Sequence, residues 1–374
     1  MASKPDLEDP YTDFEVPLTG HEEPIAPGSP DVISNAGTSG NGGVVTSLGE
    51  QFGNPYNTEP EPEPEPELST VKITISAVGD ITLGGDPRWG GYRNFMRVFG
   101  DSGNDYSVFL QNVRHIFESD DLTIANLEGA LTDSTAHLSK PYAFSGPPHF
   151  ARILSSSSVE AVSLANNHSG DYHDRGYRDT IESLEAENVL YFGESYNTIV
   201  EIKGIKVGLF GYLAWNDGQT IRNKILASIE ELRSGGAELI IAYYHWGVEH
   251  SNTTTSNQRS IGRFSIDNGV DLVLGSHSHV IQGIEVYEGK NIVYSMGNFC
   301  FGGNSNPSDK DTFIFQQTFT FEDGVLIEAN ETNIIPARLS SDPRRNDFQP
   351  IVAQGAEGDR ILQRIADYTS RLPR

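Results

Sequence analysis

From Val71 the chain alternates β-branched and polar positions, reading VKITISAVGD, and then breaks at a glycine and an acid. A period of two marks a half-buried strand, and the break is what a strand feeding a loop would show. Further apolar runs follow at Leu122–Ala125, Ala161–Leu164, Lys206–Tyr212, Leu239–Tyr244, Leu272–Leu274 and Asn291–Tyr294. Between them the spacing lengthens to that of amphipathic helices over Tyr106–Glu118, Tyr177–Glu187, Ile221–Arg233 and Gln258–Asn268. Strands alternating with helices predict a layered α/β fold. Two late runs, Phe313–Phe321 and Val325–Asn333, flank Glu322-Asp323-Gly324 and predict an antiparallel hairpin, so the sheets are expected to be mixed. After about Ala337 the periodicity fades, returning in the amphipathic stretch Asp359–Leu372, which is expected to pack back on the domain.

The first seventy residues carry no such pattern. They are rich in Pro, Gly, Ser, Asn and acids, and end in a Glu-Pro repeat from Glu59 to Glu67. Proline lacks the backbone donor that helices and ladders need, so this segment is expected to be a disordered, charge-extended stalk. It serves either as a spacer from an anchor or as a solvated tail. The expected organisation is a stalk over 1–70, one folded domain over 71–336 and a C-terminal extension over 337–374.

Charge excludes one class of partner. With 26 Lys and Arg against 52 Asp and Glu, the formal charge of −26 repels nucleic acid. The lone cysteine, Cys300, cannot form an internal disulfide and is expected in the core. No apolar run approaches the roughly 18–20 residues of a membrane span. The opening MASKPDLEDP lacks the basic and apolar regions of a signal peptide. The expectation is therefore a cytoplasmic protein, or an exported one whose leader lies outside this sequence.

The chemistry collects where strands end. Asp80 follows the first strand in AVGDITLGGD, Glu128 the second in TIANLEG, and Asn166, Asn167 and His168 the third in AVSLANNHSGD. His245 closes a later strand in IIAYYHWGVEH, and His277 and His279 follow LVLGSHSH. A single histidine after a strand is more often a hydrogen-bonded core residue than a ligand. Five segments that repeat the same arrangement weigh against that reading, because ligands of open α/β sheets bind beyond the carboxyl ends of the strands. His277 and His279 also project to one side of an extended segment, where two imidazoles can grip one or two ions. Lys140, in SKPYAFSGPP, and Glu249, beyond the HWG segment, are candidate substrate-binding or supporting residues together with Asn166.

In this order the segments GDITLGGD, NLEG, LANNHSGDYHDRG, HWGVE, GSHSHVIQG and YSMGNFCF resemble the calcineurin-like metallophosphoesterases. The version is that of CapA-type proteins of poly-γ-glutamate capsule synthesis, over about residues 72–336. The resemblance implies an α/β/β/α sandwich holding one or two divalent ions of Mn, Fe or Zn. Asp80 and His279 would bind one ion, Asn167, His245 and His277 the other, with Glu128 as the bridge. His168 would be the catalytic acid or electrostatic stabiliser. Two positions depart from the family pattern: Ile81-Thr82 replaces x-His in the first motif, and Glu128 replaces the bridging Asp. The implied activity is hydrolysis of a phosphoester or a γ-glutamyl amide. The alternative is a non-catalytic component that binds polyglutamate during assembly. The implied partners are an anionic polymer or phosphoester and membrane-bound capsule machinery, at the outer face of a cell.

Overall fold

The computed structural model describes residues 70–373, with the side chains of 328–330 excepted. Residues 1–69, which carry the acidic stalk expected from the sequence, lie outside the described residues. The chain enters through β1 (Thr70–Thr82), α1 (Gly90–Asp101), the one-turn α2 (Arg114–Phe117), β2 (Leu122–Leu127) and the short β3 (Ala130–Leu131) and β4 (Ser145–Gly146). There follow α3 (Ala151–Ser155), β5 (Ala161–Ser163), α4 (His173–Ala186), β6 (Leu190–Phe192), β7 (Thr198–Ile202), β8 (Ile205–Leu213), α5 (Gln219–Ser234) and β9 (Leu239–His245). The remainder is α6 (Ser256–Asp267), β10 (Leu272–Ser276), β11 (Ile284–Tyr287), β12 (Lys290–Val293), β13 (Asn298–Phe301), β14 (Asp311–Glu322), β15 (Val325–Arg338), β16 (Ile351–Val352) and α7 (Gly355–Ser370).

Two mixed sheets result. The first runs β16-β15-β14-β1-β2-β5-β6, with β13 also pairing β1, and the second runs β11-β12-β10-β9-β8-β7. Ile73, Ile75, Leu122 and Ile124 of the first sheet pack against Leu209, Ile241, Tyr243 and Leu274 of the second, forming the core between them. Val78, Ile81, Leu127 and Val162 face the other way, onto Phe95 and Phe99 of α1 and Leu184 of α4. Ile240, Ala242 and Val273 likewise meet Ile225 and Ile229 of α5 and Ile261 of α6. Helices, sheet, sheet and helices thus form the layered α/β fold that the alternating pattern predicts, in the α/β/β/α order that the resemblance implies. Ile361 and Ile365 of α7 join the core between the sheets. Asp323 and Gly324, both at positive φ, form the two-residue turn between β14 and β15, as the right-handed twist of a hairpin favours.

One irregularity positions the chemistry. Between Ala77 and Asp80 the β1–β2 register slips, three residues of β1 advancing against two of β2. A bulge reverses the facing of every residue beyond it. Val78 and Ile81, an odd number apart, therefore share the helix-covered core, and Asp80 turns toward the second sheet. Gly79 allows this: a Cβ there would stand 1.8 Å from the carbonyl oxygen of Gly297, which accepts from Asp80 N–H at 3.0 Å.

Two of the departures from the sequence pattern concern the helices that cover the first sheet. Tyr106–Glu118 is not one helix but a 3-10 turn at Tyr106–Phe109 followed by α2. Its apolar residues are buried as the spacing requires, and Phe109 stacks on Phe95 at 4.1 Å, so packing fixed the side chains and not a continuous backbone ladder. Conversely α1 is a helix absent from those the spacing predicts, and it opens on Gly90 and Gly91, residues of low helix propensity. Gly91 is there because the chain passes close: a Cβ would lie 2.4 Å from the carbonyl oxygen of Gly302.

Candidate metal centre

The parallel strands of both sheets deliver polar side chains to one place. Asp80 comes from β1, Asn126 from the end of β2, Glu128 just beyond it, and Asn166 to His168 from the loop after β5. His245 is the last residue of β9, and His277 and His279 follow β10. His277 and His279 both have positive φ, 90° and 56°, a conformation costly for residues with a Cβ that recurs at functional sites.

Glu128 is the centre of the arrangement. Its side chain is fully buried, and neither carboxylate oxygen has a hydrogen-bond partner. Three imidazole nitrogens, Nε2 of His168, His245 and His279, each lie 3.8 Å from its Oε1. That is too long for a hydrogen bond. For His279 and His245 it suits donors that each meet Glu128 across a cation, since ligands near 2 Å from one ion stand about 3–4 Å from each other. Burial raises the Glu128 carboxyl well above its usual range, and Asp80 and Glu249 add to the rise against His279. For His279, burial opposes the charged form, yet the carboxylates of Glu128 and Asp80 push its pKa up to about 10. The pocket thus demands positive charge. Asp80, Glu128 and His279 present one donor atom each within 4.8 Å of one another and could hold a divalent metal ion.

A second set of donors adjoins the first. His245 Nε2 lies 2.9 Å from Asn167 Oδ1 and 3.0 Å from His277 Nδ1. Burial lowers the pKa of both histidines well below the usual value, and neighbouring imidazoles lower it further, so the rings are neutral and offer lone pairs. Buried, unpartnered carboxylate oxygens beside neutral imidazoles are a donor set that fits a divalent metal.

His168 stands beside these donors and is held from behind. Its Nδ1 is 2.6 Å from Asp171 Oδ2, and its ring stacks on Phe144 at 4.1 Å. Asp171, fully buried, also accepts from Phe144 N–H at 2.6 Å and from Lys140 Nζ at 2.6 Å. Burial lowers the His168 pKa, against the pull of Asp171. Lys140 is not an exposed loop lysine, its side chain being 6% accessible, and it also donates to the carbonyl of Asn167 at 2.9 Å. Asn166 is buried and fully engaged: its amide donates to Asn126 Oδ1 and the Leu127 carbonyl and accepts from His168 N–H and Ser169 Oγ. Glu249 is exposed, its carboxylate within 4.8 Å of donor atoms of His277 and His279.

Several supporting residues went unread in the sequence. Asn126 donates to Asp80 Oδ1 at 2.8 Å, Ser276 Oγ lies 2.9 Å from His245 Nδ1, and Asn298 Oδ1 lies 2.9 Å from His279 Nδ1. Such contacts fix ring orientation and tautomer behind a ligand. Trp215 meets the His277 ring edge-on at 4.4 Å. Asp171, Asn126 and Asn298 all fall inside the quoted motifs, but only the folded contacts distinguish them from their neighbours.

Comparison with known proteins adds a family. The family described as bacterial capsule synthesis protein PGA_cap matches residues 74–303. The chain is 26% identical over 262 residues to the capsule biosynthesis protein CapA of Bacillus anthracis, covering 62% of this chain and 60% of that one. It is 27% identical over 251 residues to the PGA biosynthesis protein CapA of Bacillus subtilis, covering 61% and 63%. The chain therefore spans less than two thirds of the length of these relatives. Among solved structures, a hypothetical protein of Thermus thermophilus aligns with a TM-score of 0.41 at 15% identity, over 71% of this chain and 99% of that one. A novel phosphatase of Mycoplasma pneumoniae aligns with a TM-score of 0.41 at 14% identity, over 74% and 96%.

Proposed function

Because the chain belongs to the PGA_cap family of bacterial capsule synthesis proteins, we propose that it is a metal-dependent hydrolase of phosphoester or γ-glutamyl amide bonds in poly-γ-glutamate capsule biosynthesis. One observation carries the reading: the buried, unpartnered carboxylate of Glu128 ringed by three imidazole nitrogens at 3.8 Å. Asp80, Glu128 and His279 would hold one ion, and Asn167, His245 and His277 a second. Oxygen and imidazole donors suit Mn, Fe or Zn alike. When bound, the ions supply Lewis acidity and lower the pKa of water.

The chain's own residues do the rest. Asp171 accepts from His168 Nδ1–H, which leaves Nε2 facing the centre, where the imidazolium form, favoured by Asp171 against burial, would give its Nε2 proton to the leaving atom and become the neutral ring. Phe144 on the ring face keeps water off that imidazole. Asn126, Ser276 and Asn298 keep Asp80, His245 and His279 aimed. For a protein of net charge −26, a cation-lined pocket is also the place where an anionic polymer can approach. Membrane-bound capsule machinery at the cell surface is the proposed setting. Among the described residues no helix is long and apolar enough to cross a membrane.

The test is turnover of a phosphodiester and of a γ-glutamyl anilide by protein stripped of metal and then reloaded with Mn, Fe or Zn. Metal-dependent release is expected, and His168→Ala should keep its metal while losing roughly 10²–10⁴ in rate. Metal uptake without turnover of either substrate would overturn hydrolysis and leave the polyglutamate-binding role.

A further inference from the structure

Glu249 lies beyond β9 on a loop whose shape is enforced. Gly247 and His250 flank it at φ 90° and 59°. The side-chain amide of Gln258 packs against Gly247, closer than 3 Å to where a Cβ would stand. Gln258 is itself fixed by Thr255 N–H at 2.8 Å and Gln282 Oε1 at 2.9 Å. On the far side, His250 N–H donates at 2.7 Å to the carbonyl of Ser278, the residue between the two ligand histidines. The loop is thus hydrogen-bonded to the very segment that carries His277 and His279.

Glu249, His277 and His279 form a second trio of donors within 4.8 Å of one another, sharing His279 with the trio of Asp80 and Glu128. Among the described residues no hydrogen bond joins Glu249 to either ring. Inside the fold each ion position is short of donors, since Zn takes four and octahedral ions six. The solvent-facing side is open to a further donor, water or side chain, and Glu249 places a carboxylate there within 4.8 Å of donor atoms of His277 and His279.

We infer that Glu249 is a direct ligand of a divalent transition ion, closing the exposed side of the centre against His277 and His279. This rests on the metal-centre reading and adds to it a third carboxylate from outside the buried set. The carboxylate is exposed and can swing away, so the ligand is one that an arriving anionic substrate displaces. A salt bridge to substrate, the other use of a rim carboxylate, is disfavoured because an anionic polymer would be repelled by it.

Cobalt(II) binding tests this without turnover. Wild type, Glu249→Ala and Glu249→Cys are stripped, titrated with cobalt and followed by visible and near-ultraviolet absorption. Wild type gives the blank for thiolate, because its one cysteine, Cys300, is buried with Sγ donating to the Phe348 carbonyl. We expect at least about tenfold weaker binding of one ion in Glu249→Ala. A thiolate-to-cobalt charge-transfer band is expected in Glu249→Cys, since it arises only when the side chain at 249 touches the ion. Unchanged affinity in Glu249→Ala with no such band in Glu249→Cys overturns the inference and leaves the metal centre standing. A wild-type protein that takes up no cobalt overturns both.

Discussion

Lys140 and Asp171 form an ion pair at 2.6 Å in which both side chains are buried, and the far oxygen of Asp171 holds His168. Removing one partner of a buried pair strands the other charge. Lys140→Met is therefore expected to lower stability by about 3 kcal/mol, read as a shift in the urea midpoint. It should also lower kcat more than it raises KM, because Asp171 would no longer be anchored behind His168. An unshifted midpoint would show that Phe144 N–H and His168 suffice to hold the carboxylate.

The approach of Gly79 to Gly297 makes a second expectation quantitative. Gly79→Ala places a methyl 1.8 Å from the Gly297 carbonyl oxygen, a contact that only backbone movement relieves. Overpacking of this kind costs about 1–3 kcal/mol. The strand that must move carries Asp80, so metal affinity should fall together with stability. Calorimetric metal titration of a folded Gly79→Ala protein with wild-type affinity would contradict this.

Glu128 sets stability against binding. In metal-free protein its carboxylate is buried without a hydrogen bond, so metal-free Glu128→Gln is expected to be no less stable than metal-free wild type. Adding Mn or Zn should raise the wild-type melting temperature, as any ligand of the native state does, and leave that of Glu128→Gln nearly unchanged. Thermal scans at several metal concentrations decide it.

Acid should loosen α7 before it touches the strands. Burial works against ionisation of Asp311, but hydrogen bonds from Arg360 and Arg364 prevail and hold its carboxyl below the usual range. Arg360 reaches both oxygens, at 2.6 and 2.7 Å. Since the folded value lies below the unfolded one, near 3.9, this stabilisation is complete above about pH 4. It disappears as pH falls through the folded value. Urea midpoints measured down to about pH 3 should drop less steeply for Asp311→Asn than for wild type.

Legibility in the sequence followed the range of the interaction. Strand periodicity is local, so β1, β2, β5, β8, β9, β10 and β12 could be read from alternating or continuous apolar runs. The ligand-type residues were conspicuous because acids and histidines rarely follow apolar strands by chance. What could not be read was set by distant chain: α1 opens on Gly90 and Gly91, the second of which the Gly302 carbonyl explains, and the turn at Tyr106–Phe109 packs Phe109 on Phe95. Lys140 reads in the sequence as a candidate for substrate or support, and only the fold sets Asp171, thirty-one residues on, against it. The bulge that aims Asp80 is likewise invisible in VGD, since it exists only in register with β2.

That Asp80 takes a hydrogen bond from the backbone of His277, 197 residues later, has a consequence for biosynthesis. The residue that orients His279, Asn298, leaves the ribosome later still. At about 5–20 residues per second, roughly 10–45 s separate the emergence of Asp80 from that of Asn298. Through that interval the nascent chain has no complete cation cage, so metal cannot template the first sheet and is acquired only after the second has docked. Refolding rates measured with and without metal should then agree, while unfolding slows when metal is present. Occupancy would act as a stamp of completed folding.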